Sequence, residues 1–385
     1  MSFTLQVEAA RWQAHLAATR GAITVHAETD LVPVVKGNGY GLGQSRLARA
    51  CDLLGVDVIA VGTIFEVDEV LAGSLADVLV LERCDGRDRA AARAWVVAAE
   101  RWDAARLIRT VATRAGLHEV LEGPRGARVV LEGRTSMHRF GFSPDELQWL
   151  LAQPEVRQGI TSGHIEVLGL GLHLPLAQPR GPQHTAGPTA GTPRAQEILQ
   201  WCGIWQAQEL RTVHPTAAAV WLSHVTDAEL AGIRAQSQLP LRVRIGSRLW
   251  LGDRGALAAA GSVLAVHPLP AGTRVGYRQR TGPRDGTLVV VSGGTAHGIG
   301  LSAPTPAASL RQRAVTAGTG ALDAAGRALS PFTWQGKQRW FAEPPHQHHS
   351  MVWLPRGCVI PSNGDEFSAE VRYTTSRFDA VLGLD

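Results

Sequence analysis

Eight short apolar runs, most of them rich in β-branched residues, alternate with helix-length amphipathic segments between residues 33 and 245. The runs are Pro33–Val35, Val56–Gly62, Asp77–Leu81, Leu107–Val111, Ala127–Glu132, Ile165–His173, Ala219–Ser223 and Leu241–Ile245. Strand–helix alternation repeated eight times predicts an α/β fold, a parallel (β/α)8 barrel of the TIM type. In such barrels the residues that carry chemistry lie at the carboxyl ends of the strands. The residues that end these runs are therefore the first candidates for a functional site.

The sequence pattern changes after residue 253. Short alternating segments punctuated by Gly and Pro follow, among them Ser262–Val266, Gly272–Arg280, Thr287–Val291, Arg311–Thr316, Met351–Leu354 and Phe367–Tyr373. They predict a second, smaller domain that is mostly β. We therefore expect a barrel domain over residues 1–253 and a β-rich domain over residues 254–385. Within the barrel, the Pro-, Gly- and Ala-rich stretch Pro175–Pro193 predicts a long, mobile loop.

The composition narrows the class of protein further. Of the 385 residues 45% are hydrophobic and 19% are charged, so the chain can bury a sizeable core. The formal net charge is +4, and no run of Lys or Arg indicates binding of nucleic acid. The first residues lack the pattern of a signal peptide, and no apolar run is long enough to span a membrane. We expect a soluble, cytoplasmic protein.

Lysine is scarce in this chain, and one lysine has a distinctive position. Only two of the 38 basic side chains are lysines, Lys36 and Lys337. Lys36 ends the first run and opens the glycine-rich turn Lys-Gly-Asn-Gly-Tyr-Gly-Leu-Gly. A lysine held in a poorly solvated pocket at a strand end can lose its proton and form a Schiff base with an aldehyde. The alternative is a strand-end lysine that extends into water above a flexible loop.

The ten residues from Val34 to Gly43 resemble the pyridoxal-phosphate lysine motif of alanine racemases. That family has a (β/α)8 barrel followed by a β domain, and the resemblance extends over most of the chain, more weakly after residue 295. It implies that Lys36 is bonded covalently to pyridoxal 5'-phosphate. It also implies that Tyr40 donates a hydrogen bond to the cofactor phosphate.

A second segment, Thr135-Ser136-Met137-His138-Arg139-Phe140-Gly141-Phe142, resembles the family's sequence after the fifth strand. The resemblance implies that Arg139 faces the cofactor's phenolic oxygen and the substrate carboxylate, and an Arg fork suits a carboxylate. A surface ion pair is the alternative for Arg139. Where the family often carries a carboxylated lysine that orients this Arg, the chain has Glu132. A glutamate there supplies the same negative charge without modification.

Two further strand ends match the family. His173 ends the sixth run, and the resemblance implies that it stacks on the cofactor ring; an ordinary core histidine is the alternative. Arg244 lies in the eighth run, and the resemblance implies that it reaches the pyridine nitrogen. Because an Arg keeps its proton, that nitrogen stays unprotonated. This favours removal and return of the α-proton over transamination.

The resemblance also implies a phosphate site at the ends of the seventh and eighth runs. The resemblance implies that backbone N–H groups near Gly246 and Ser247 hold the phosphate. For the phosphate-binding hydroxyl after the seventh strand we identify Ser223, with Thr226 as the second choice. Thr226 also has the position of the N-cap of the following helix.

The segment Gly272-Thr273-Arg274-Val275-Gly276-Tyr277 resembles the family's catalytic-tyrosine segment. The resemblance implies that Tyr277 of the partner subunit is the base for the L-enantiomer, that Lys36 is the base for the D-enantiomer, and that the protein is a homodimer with shared active sites. A phenol has a pKa of about 10, so nearby cations must stabilise its ionised form, and His173 with Arg244 are the expected polarising chain. The alternative for Tyr277 is packing at a domain interface. Met351 matches the methionine whose backbone holds the substrate carboxylate.

The chain also departs from the family. Thr295 and His297 replace a tyrosine and an aspartate that line the entrance, and Phe378 replaces a tyrosine that touches phosphate. These changes make the entrance less crowded and differently charged. We therefore expect a small-molecule substrate that is alanine or a related, larger amino acid.

Two other functions compete with a racemase. One is a metal-assisted lyase acting on D-hydroxy amino acids, because His346, His348 and His349 lie within four residues and related enzymes place a metal near this region. However, the nearby Cys358 does not reproduce their His-x-Cys pair. The other is a non-catalytic pyridoxal-phosphate-binding protein. It is disfavoured because such carriers resemble the barrel alone.

Overall fold

Eighteen β-strands and ten α-helices form within the residues that the computed structural model describes, which are 2–176, 191–208, 210, 219–281, 284–301 and 328–384. In chain order the strands are β1 (Phe3–Val7), β2 (Thr29–Pro33), β3 (Val58–Val61), β4 (Asp77–Arg83), β5 (Leu107–Val111), β6 (Ala127–Gly133), β7 (Ile165–Leu172), β8 (Val220–Ser223), β9 (Leu241–Ile245), β10 (Leu257–Leu269), β11 (Arg274–Val275), β12 (Arg280–Thr281), β13 (Gly286–Ser292), β14 (Leu329–Trp334), β15 (Lys337–Phe341), β16 (His349–Pro355), β17 (Glu366–Ala369) and β18 (Ala380–Leu382). The helices are α1 (Ala9–Thr24), α2 (Gln44–Leu53), α3 (Val67–Leu71), α4 (Arg89–Arg101), α5 (Arg114–Glu122), α6 (Pro144–Ala152), α7 (Pro154–Thr161), α8 (Pro193–Gln206), α9 (Asp227–Arg234) and α10 (Ser247–Leu251). None of the helices in these residues is long and apolar enough to cross a membrane.

The chain divides into two compact units. The barrel unit comprises Ala14–Gly39 and Gly43–Gly252, and the β-rich unit comprises Met1–Gln13, Tyr40–Leu42 and Asp253–Asp385. The β-rich unit therefore gathers segments from both ends of the chain. The assignment of residues 1–253 and 254–385 to two domains stays a prediction.

The barrel unit confirms the predicted parallel (β/α)8 barrel. Its eight strands pair in the order β2-β9-β8-β7-β6-β5-β4-β3, and a parallel bridge between Val34 and Ala60 joins the two outer strands. Alternate side chains from these strands fill one interior cluster: Val32, Val34, Val58, Ala60, Leu79, Ile108, Val130, Leu168, Ala219 and Trp221. Because the interior is packed with apolar groups, polar side chains are left to the strand ends.

Most barrel strands lie where the sequence predicted them. β5 and β9 match residue for residue, and five others differ by three residues or fewer at either end. The first strand was predicted wrongly at Pro33–Val35, since β2 covers Thr29–Pro33. Val34 and Val35 continue the pairing by single contacts, and the N–H of Val35 donates to the carbonyl of Ala60 at 2.7 Å. Lys36 therefore still follows directly on the paired segment.

Two helices of the barrel unit begin with capping boxes. Ser143 caps α6 and Thr226 caps α9, each accepting the backbone N–H of a glutamate three residues later, and each glutamate bonds back to the cap. Such caps satisfy N–H groups that the first helical turn leaves without partners, and each is worth about 1 kcal/mol.

The β-rich unit has its own sheet and core. The strand order is β13-β16-β15-β14-β17-β10-β1-β18, and an additional β13–β10 pairing closes six of these strands into a ring. Every pairing in this sheet is antiparallel except that of β1 with β18. Its core is Phe3, Ala259, Val263, Val289, Val291, Ile299, Phe332, Val352, Leu354, Phe367 and Ala369. The mostly β second domain is thus observed, but it recruits β1, which the sequence analysis did not identify.

Three predicted segments differ from the structure or lie wholly or mostly outside the described residues. The strand expected over Gly272–Arg280 is wrong as drawn, because β11 and β12 flank a turn over residues 276–279. The expected strand Arg311–Thr316 lies outside the described residues. So do residues 177–190, which make up most of the expected loop Pro175–Pro193.

Candidate active site

Polar side chains collect at the carboxyl ends of five barrel strands. Lys36 follows the β2 segment, and Glu132, His173, Ser223 and Arg244 lie at or directly after the ends of β6, β7, β8 and β9. This edge of a (β/α)8 barrel is where active sites form. Five of the residues predicted from the sequence are therefore on one rim of the barrel unit.

The Lys36 turn is built from glycines that no other residue could replace without strain. Gly37 has φ +62° and donates its N–H to Oε1 of Glu66 at 2.8 Å. Gly39 has φ +60°, and a Cβ there would lie 2.6 Å from the backbone nitrogen of Gln44. The Lys36 side chain is exposed, so the described residues of the barrel unit do not by themselves form the poorly solvated pocket expected around it.

Tyr40 continues this turn in an unusual conformation. It is 4% exposed, and its φ of +56° lies in the left-handed region that few non-glycine residues adopt. By its contacts the segment Tyr40–Leu42 belongs to the β-rich unit, where Gly41 lies against Tyr373 and Phe378. Its predicted hydrogen bond to phosphate stays a prediction.

A buried carboxylate lies between two arginines on the rim. Glu132 is 3% exposed, and its Oε1 is 3.8 Å from an Nη of Arg139. Burial raises the pKa of Glu132, while the charges of Arg244 and Arg139 act against that shift. Arg244 is itself buried, and one Nη donates to the carbonyls of Leu172 at 2.9 Å and Trp221 at 3.3 Å. Burial lowers the pKa of Arg244 to about 10, so the guanidinium remains charged at neutral pH.

The loop that carries Arg139 folds back onto the end of β6. The N–H of Phe142 donates to the carbonyl of Glu132 at 2.8 Å, and the N–H of Arg134 donates to the carbonyl of Phe142 at 2.8 Å. Gly141 makes this approach possible, because its φ is +110° and a Cβ would overlap the backbone of Gly133. Arg139 is thereby held within reach of Glu132.

His173 sits in a strongly cationic environment. Its Nδ1 is 3.1 Å from the hydroxyl of Ser223, and burial together with nearby positive charge lowers its pKa to about 3. The charges belong, in decreasing order of effect, to Arg139, Arg244, His224 and Lys36. A neutral imidazole at physiological pH follows. The charges that lower the pKa of His173 thus come from four other basic side chains of the barrel unit.

His224 was missed by the sequence analysis. Its ring lies 5.2 Å from that of His173, and its φ is +57°. Burial lowers the pKa of His224, and the charges of Arg244 and Lys36 lower it further. Its place directly after β8 was a signal that could have identified it.

The candidate phosphate residues occupy distinct settings. The hydroxyl of Ser223 is buried and also interacts with the N–H of Leu174 at 3.3 Å and the carbonyl of Leu172 at 3.4 Å. Thr226 is the N-cap of α9, which was the alternative considered for it. Gly246 and Ser247 open α10, and the first N–H groups of a helix have no acceptor within that helix.

In the β-rich unit Tyr277 lies in the turn after β11 and is 84% exposed. Its ring centroid is 4.4 Å from that of His346. His346 donates from Nε2 to the buried carboxylate of Glu343, and its Nδ1 is 2.9 Å from Nε2 of His349. Sequence analysis did not identify Glu343. Met351 lies in β16, and its carbonyl accepts the N–H of Ala342 at 2.8 Å.

The histidines of this segment bond mainly to protein groups. Within the described residues no group of three His, Cys, Asp or Glu side chains is placed to hold a metal ion. His348 is exposed, and its ring lies 6.0 Å from that of His297. Of the three histidines considered for the lyase alternative, His346 and His349 form a hydrogen-bonded chain that ends on Glu343, and His348 lies outside that chain.

The residues that depart from the family serve contacts inside the β-rich unit. His297 is buried, accepts the N–H of Gly294 at Nδ1, and places Nε2 3.2 Å from Asp379. Phe378 stacks on Phe3 with ring centroids 5.1 Å apart. Their effect on substrate choice stays a prediction.

The chain is similar to known alanine racemases. A family model described as the N-terminal domain of alanine racemase matches residues 7–235. An alanine racemase of Nitratidesulfovibrio vulgaris (Miyazaki F) is 29% identical over 286 residues, covering 70% of this chain and 71% of the relative. One of Corynebacterium efficiens is 26% identical over 285 residues, covering 70% and 69%.

Solved structures show the same fold. The alanine racemase of Bartonella henselae, solved with covalently bound pyridoxal phosphate, superposes with a TM-score of 0.63 at 17% identity, covering 97% of this chain and 91% of that one. The enzyme of Streptomyces coelicolor gives a TM-score of 0.64 at 22% identity, covering 96% and 89%. With the family model matching more than half of its residues, the chain belongs to the alanine racemase family of pyridoxal-phosphate-dependent isomerases.

Proposed function

We propose that this protein interconverts L- and D-alanine, or a related amino acid, by transferring the α-proton between two bases. Lys36 serves the D-enantiomer and Tyr277 of the partner subunit serves the L-enantiomer. The proposal implies a homodimer with shared active sites, and we place it in the cytoplasm. The observation that carries it is that Lys36, His173 and Arg244 lie at the carboxyl ends of barrel strands. At the same rim Arg139 lies 3.8 Å from the buried Glu132.

The barrel rim is chemically suited to pyridoxal phosphate. Oε2 of Glu132 and Nε of Arg244 are buried and have no hydrogen-bond partner among the described residues. An unpaired buried polar atom costs about 1–3 kcal/mol, so polar atoms of a bound group are favoured there. The residues that would hold the cofactor are Lys36, Tyr40, His173, Ser223, Arg244, Gly246 and Ser247. When bound, the cofactor stabilises negative charge at the α-carbon of an attached amino acid and so makes its α-hydrogen acidic.

The basic side chains of the rim have separable roles. Nζ of Lys36 takes or returns the α-proton on one face, and Oη of Tyr277 of the partner subunit does so on the other. Arg139 binds the substrate carboxylate, assisted by the backbone at Met351. Arg244 keeps its proton at neutral pH, so it gives none to the pyridine nitrogen. This limits electron withdrawal and favours return of the proton over transamination.

Glu132 sets the charge of this arrangement. It offers one buried negative charge between the guanidinium groups of Arg139 and Arg244. Without it, the buried Arg244 would lose the negative charge that acts on it and would keep the like charge of Arg139 nearby. A glutamate performs this role without covalent modification.

Racemisation itself is the direct test. The purified protein, supplied with pyridoxal phosphate, is incubated with L-alanine and a panel of other L-amino acids, and the products are separated by chiral chromatography. We expect a D-product from alanine or one of its relatives, and none from the Lys36→Ala variant. A protein that binds the cofactor but yields no D-product from any of the amino acids contradicts the proposal.

A further inference from the structure

A chain of three polar side chains stands behind Tyr277 in the β-rich unit. Glu343 is 1% exposed at its side chain and accepts a hydrogen bond from Nε2 of His346. Nδ1 of His346 is 2.9 Å from Nε2 of His349, and the ring of His346 lies 4.4 Å from that of Tyr277. All four residues belong to one unit of one chain. Glu343 and His346 therefore belong to the same subunit as Tyr277 in any active site that Tyr277 enters.

The Tyr277 turn is also fitted to the carboxylate of Glu343. Gly276, which precedes Tyr277, has φ +71°, and a Cβ at that position would overlap the Glu343 carboxylate. Position 276 therefore requires glycine for two reasons: the positive φ angle and the close approach of the Glu343 carboxylate. Two independent contacts, one through Gly276 and one through His346, fix the Tyr277 turn against the same buried acid.

Hydrogen-bond chemistry assigns one proton among these three side chains and leaves two alternatives for a second. A carboxylate only accepts, so Nε2 of His346 carries a proton. Burial and the charges of His346 and His348 lower the pKa of His349, so His349 is the neutral partner. Nδ1 of His346 can then either accept from His349 or donate to it. In the second case His346 is an imidazolium held between a carboxylate and a neutral imidazole.

The groups that contact His346 include one buried carboxylate. Glu343 and His349 contact it directly, and Tyr277 lies on its ring. His348 is exposed, as are Arg274 in β11 and Arg278 on the Tyr277 turn. The one buried charge in contact with His346 is therefore negative among these residues. An imidazolium against a phenol ring stabilises the phenolate, which is the form that can take a proton.

We propose that Glu343 and His346 are positioning residues for Tyr277: they hold its ring and favour its ionised form, so that it works as a base near neutral pH. The inference rests on the proposed role of Tyr277 as the L-side base. It assigns the polarising function to groups of the same subunit as Tyr277. From the sequence, His173 and Arg244 were instead the expected polarising chain.

The experiment measures exchange of the α-proton in D2O, starting separately from L-alanine and D-alanine, with the holoenzyme. The ratio of the L-side rate to the D-side rate reports Tyr277 relative to Lys36 in one protein. For Glu343→Gln and for His346→Gln we expect this ratio to fall about tenfold or more. We also expect the acid limb of the L-side pH profile to move about one unit higher, and the KM for L-alanine to stay within about twofold.

Control variants separate the possible failures. His348→Gln changes a neighbouring exposed histidine outside the chain and is expected to leave the ratio unaltered. Glu343→Asp restores the carboxylate and is expected to recover part of the ratio. If Tyr277→Phe lowers the ratio but Glu343→Gln and His346→Gln leave both ratio and pH limb unaltered, the inference is overturned. If Tyr277→Phe itself leaves the ratio unaltered, the two-base proposal fails, and this inference fails with it.

Discussion

The rim of the barrel unit and the Tyr277 turn of the β-rich unit place their polar groups in opposite ways. On the rim, Glu132 and Arg244 extend from strand ends, are buried, and interact through charge. In the β-rich unit, Tyr277 is 84% exposed on a turn, and the buried charge belongs to the residue behind it, Glu343. The barrel thus fixes charges by its backbone, whereas the β-rich unit holds one reactive side chain by side-chain contacts.

The two regions should therefore respond differently to substitution. A change on the barrel rim alters the electrostatics that every form of the substrate experiences. A change at the Tyr277 turn alters the proton donor and acceptor on one face only. Effects on both enantiomers are therefore the signature of the barrel, and effects on one enantiomer are the signature of the β-rich unit.

The largest effect is expected from the amine of the barrel rim. Lys36→Ala should lower racemisation by on the order of 10⁴-fold or more, because both the cofactor link and one base are lost. Treatment with borohydride followed by peptide mass spectrometry should trap no cofactor on the variant. The other lysine, Lys337, is exposed in β15. Lys337→Ala therefore serves as the matched control. A cofactor trapped on Lys337 would contradict the assignment.

Tyr277→Phe should separate the two faces. We expect the α-proton exchange from L-alanine to fall by roughly 10²- to 10³-fold, because the phenol oxygen that moves the proton is absent. Exchange from D-alanine should continue through Lys36. Proton NMR in D2O follows both. Equal losses from the two enantiomers would mean that Tyr277 does not define one face.

Glu132→Gln should affect both faces together. Removing the buried charge leaves Arg139 and Arg244 uncompensated, and we expect kcat/KM to fall about tenfold in each direction, equivalent to about 1.4 kcal/mol. Because burial raises the pKa of Glu132, the wild-type protein should approach the variant as pH falls and the carboxyl protonates. A variant whose loss is confined to one enantiomer would break the distinction between the two regions.

The smallest effect on activity, and a clear effect on stability, is expected at Glu229. This buried carboxylate of the barrel unit bonds to Thr226, Thr192 at 2.7 Å and Arg194, and its pKa is lowered to about 2. Burial opposes the shift, and the bonds to Arg194 and the two threonines outweigh it. Because the folded pKa is below the ordinary value near 4.5, this stabilisation is present above pH 4.5 and is lost as pH falls towards 2.

Glu229→Gln should therefore lower the free energy of unfolding by about 2 kcal/mol at pH 7 and by less at pH 3. Urea unfolding at the two pH values measures this. Glu146→Gln is the matched control, because Glu146 fills the same capping-box position at α6 but its side chain is 42% exposed. Its loss should be below about 1 kcal/mol. Equal losses at both pH values would contradict the pKa argument.

The barrel could be predicted because its strands are contiguous and their spacing repeats. Each strand pairs with a neighbour close in sequence, apart from the closure between the first and last. Glu132, His173 and Arg244 follow from their positions at strand ends. The error at β2 arose because Pro33 ends the regular pairing while Val34 and Val35 continue it by single bonds.

The β-rich unit could be predicted only in kind. The alternating sequence of Phe3–Val7 is typical of a strand, but its partners β10 and β18 lie 250 or more residues away. The turn at 276–279 depends on Gly276 packing against Glu343, which no local pattern reveals. For the same reason His346 was considered as part of a metal cluster rather than as the partner of Tyr277.

Mixing two inactive variants tests the central claim, that Lys36 and Tyr277 act in one site from different subunits. Lys36→Ala and Tyr277→Phe chains are unfolded together, refolded and assayed, and exchange of subunits is verified by native mass spectrometry. In each mixed dimer one site is intact and the other carries both changes, so an equal mixture should regain about a quarter of the wild-type activity. Mixed dimers that form and stay inactive would contradict the account.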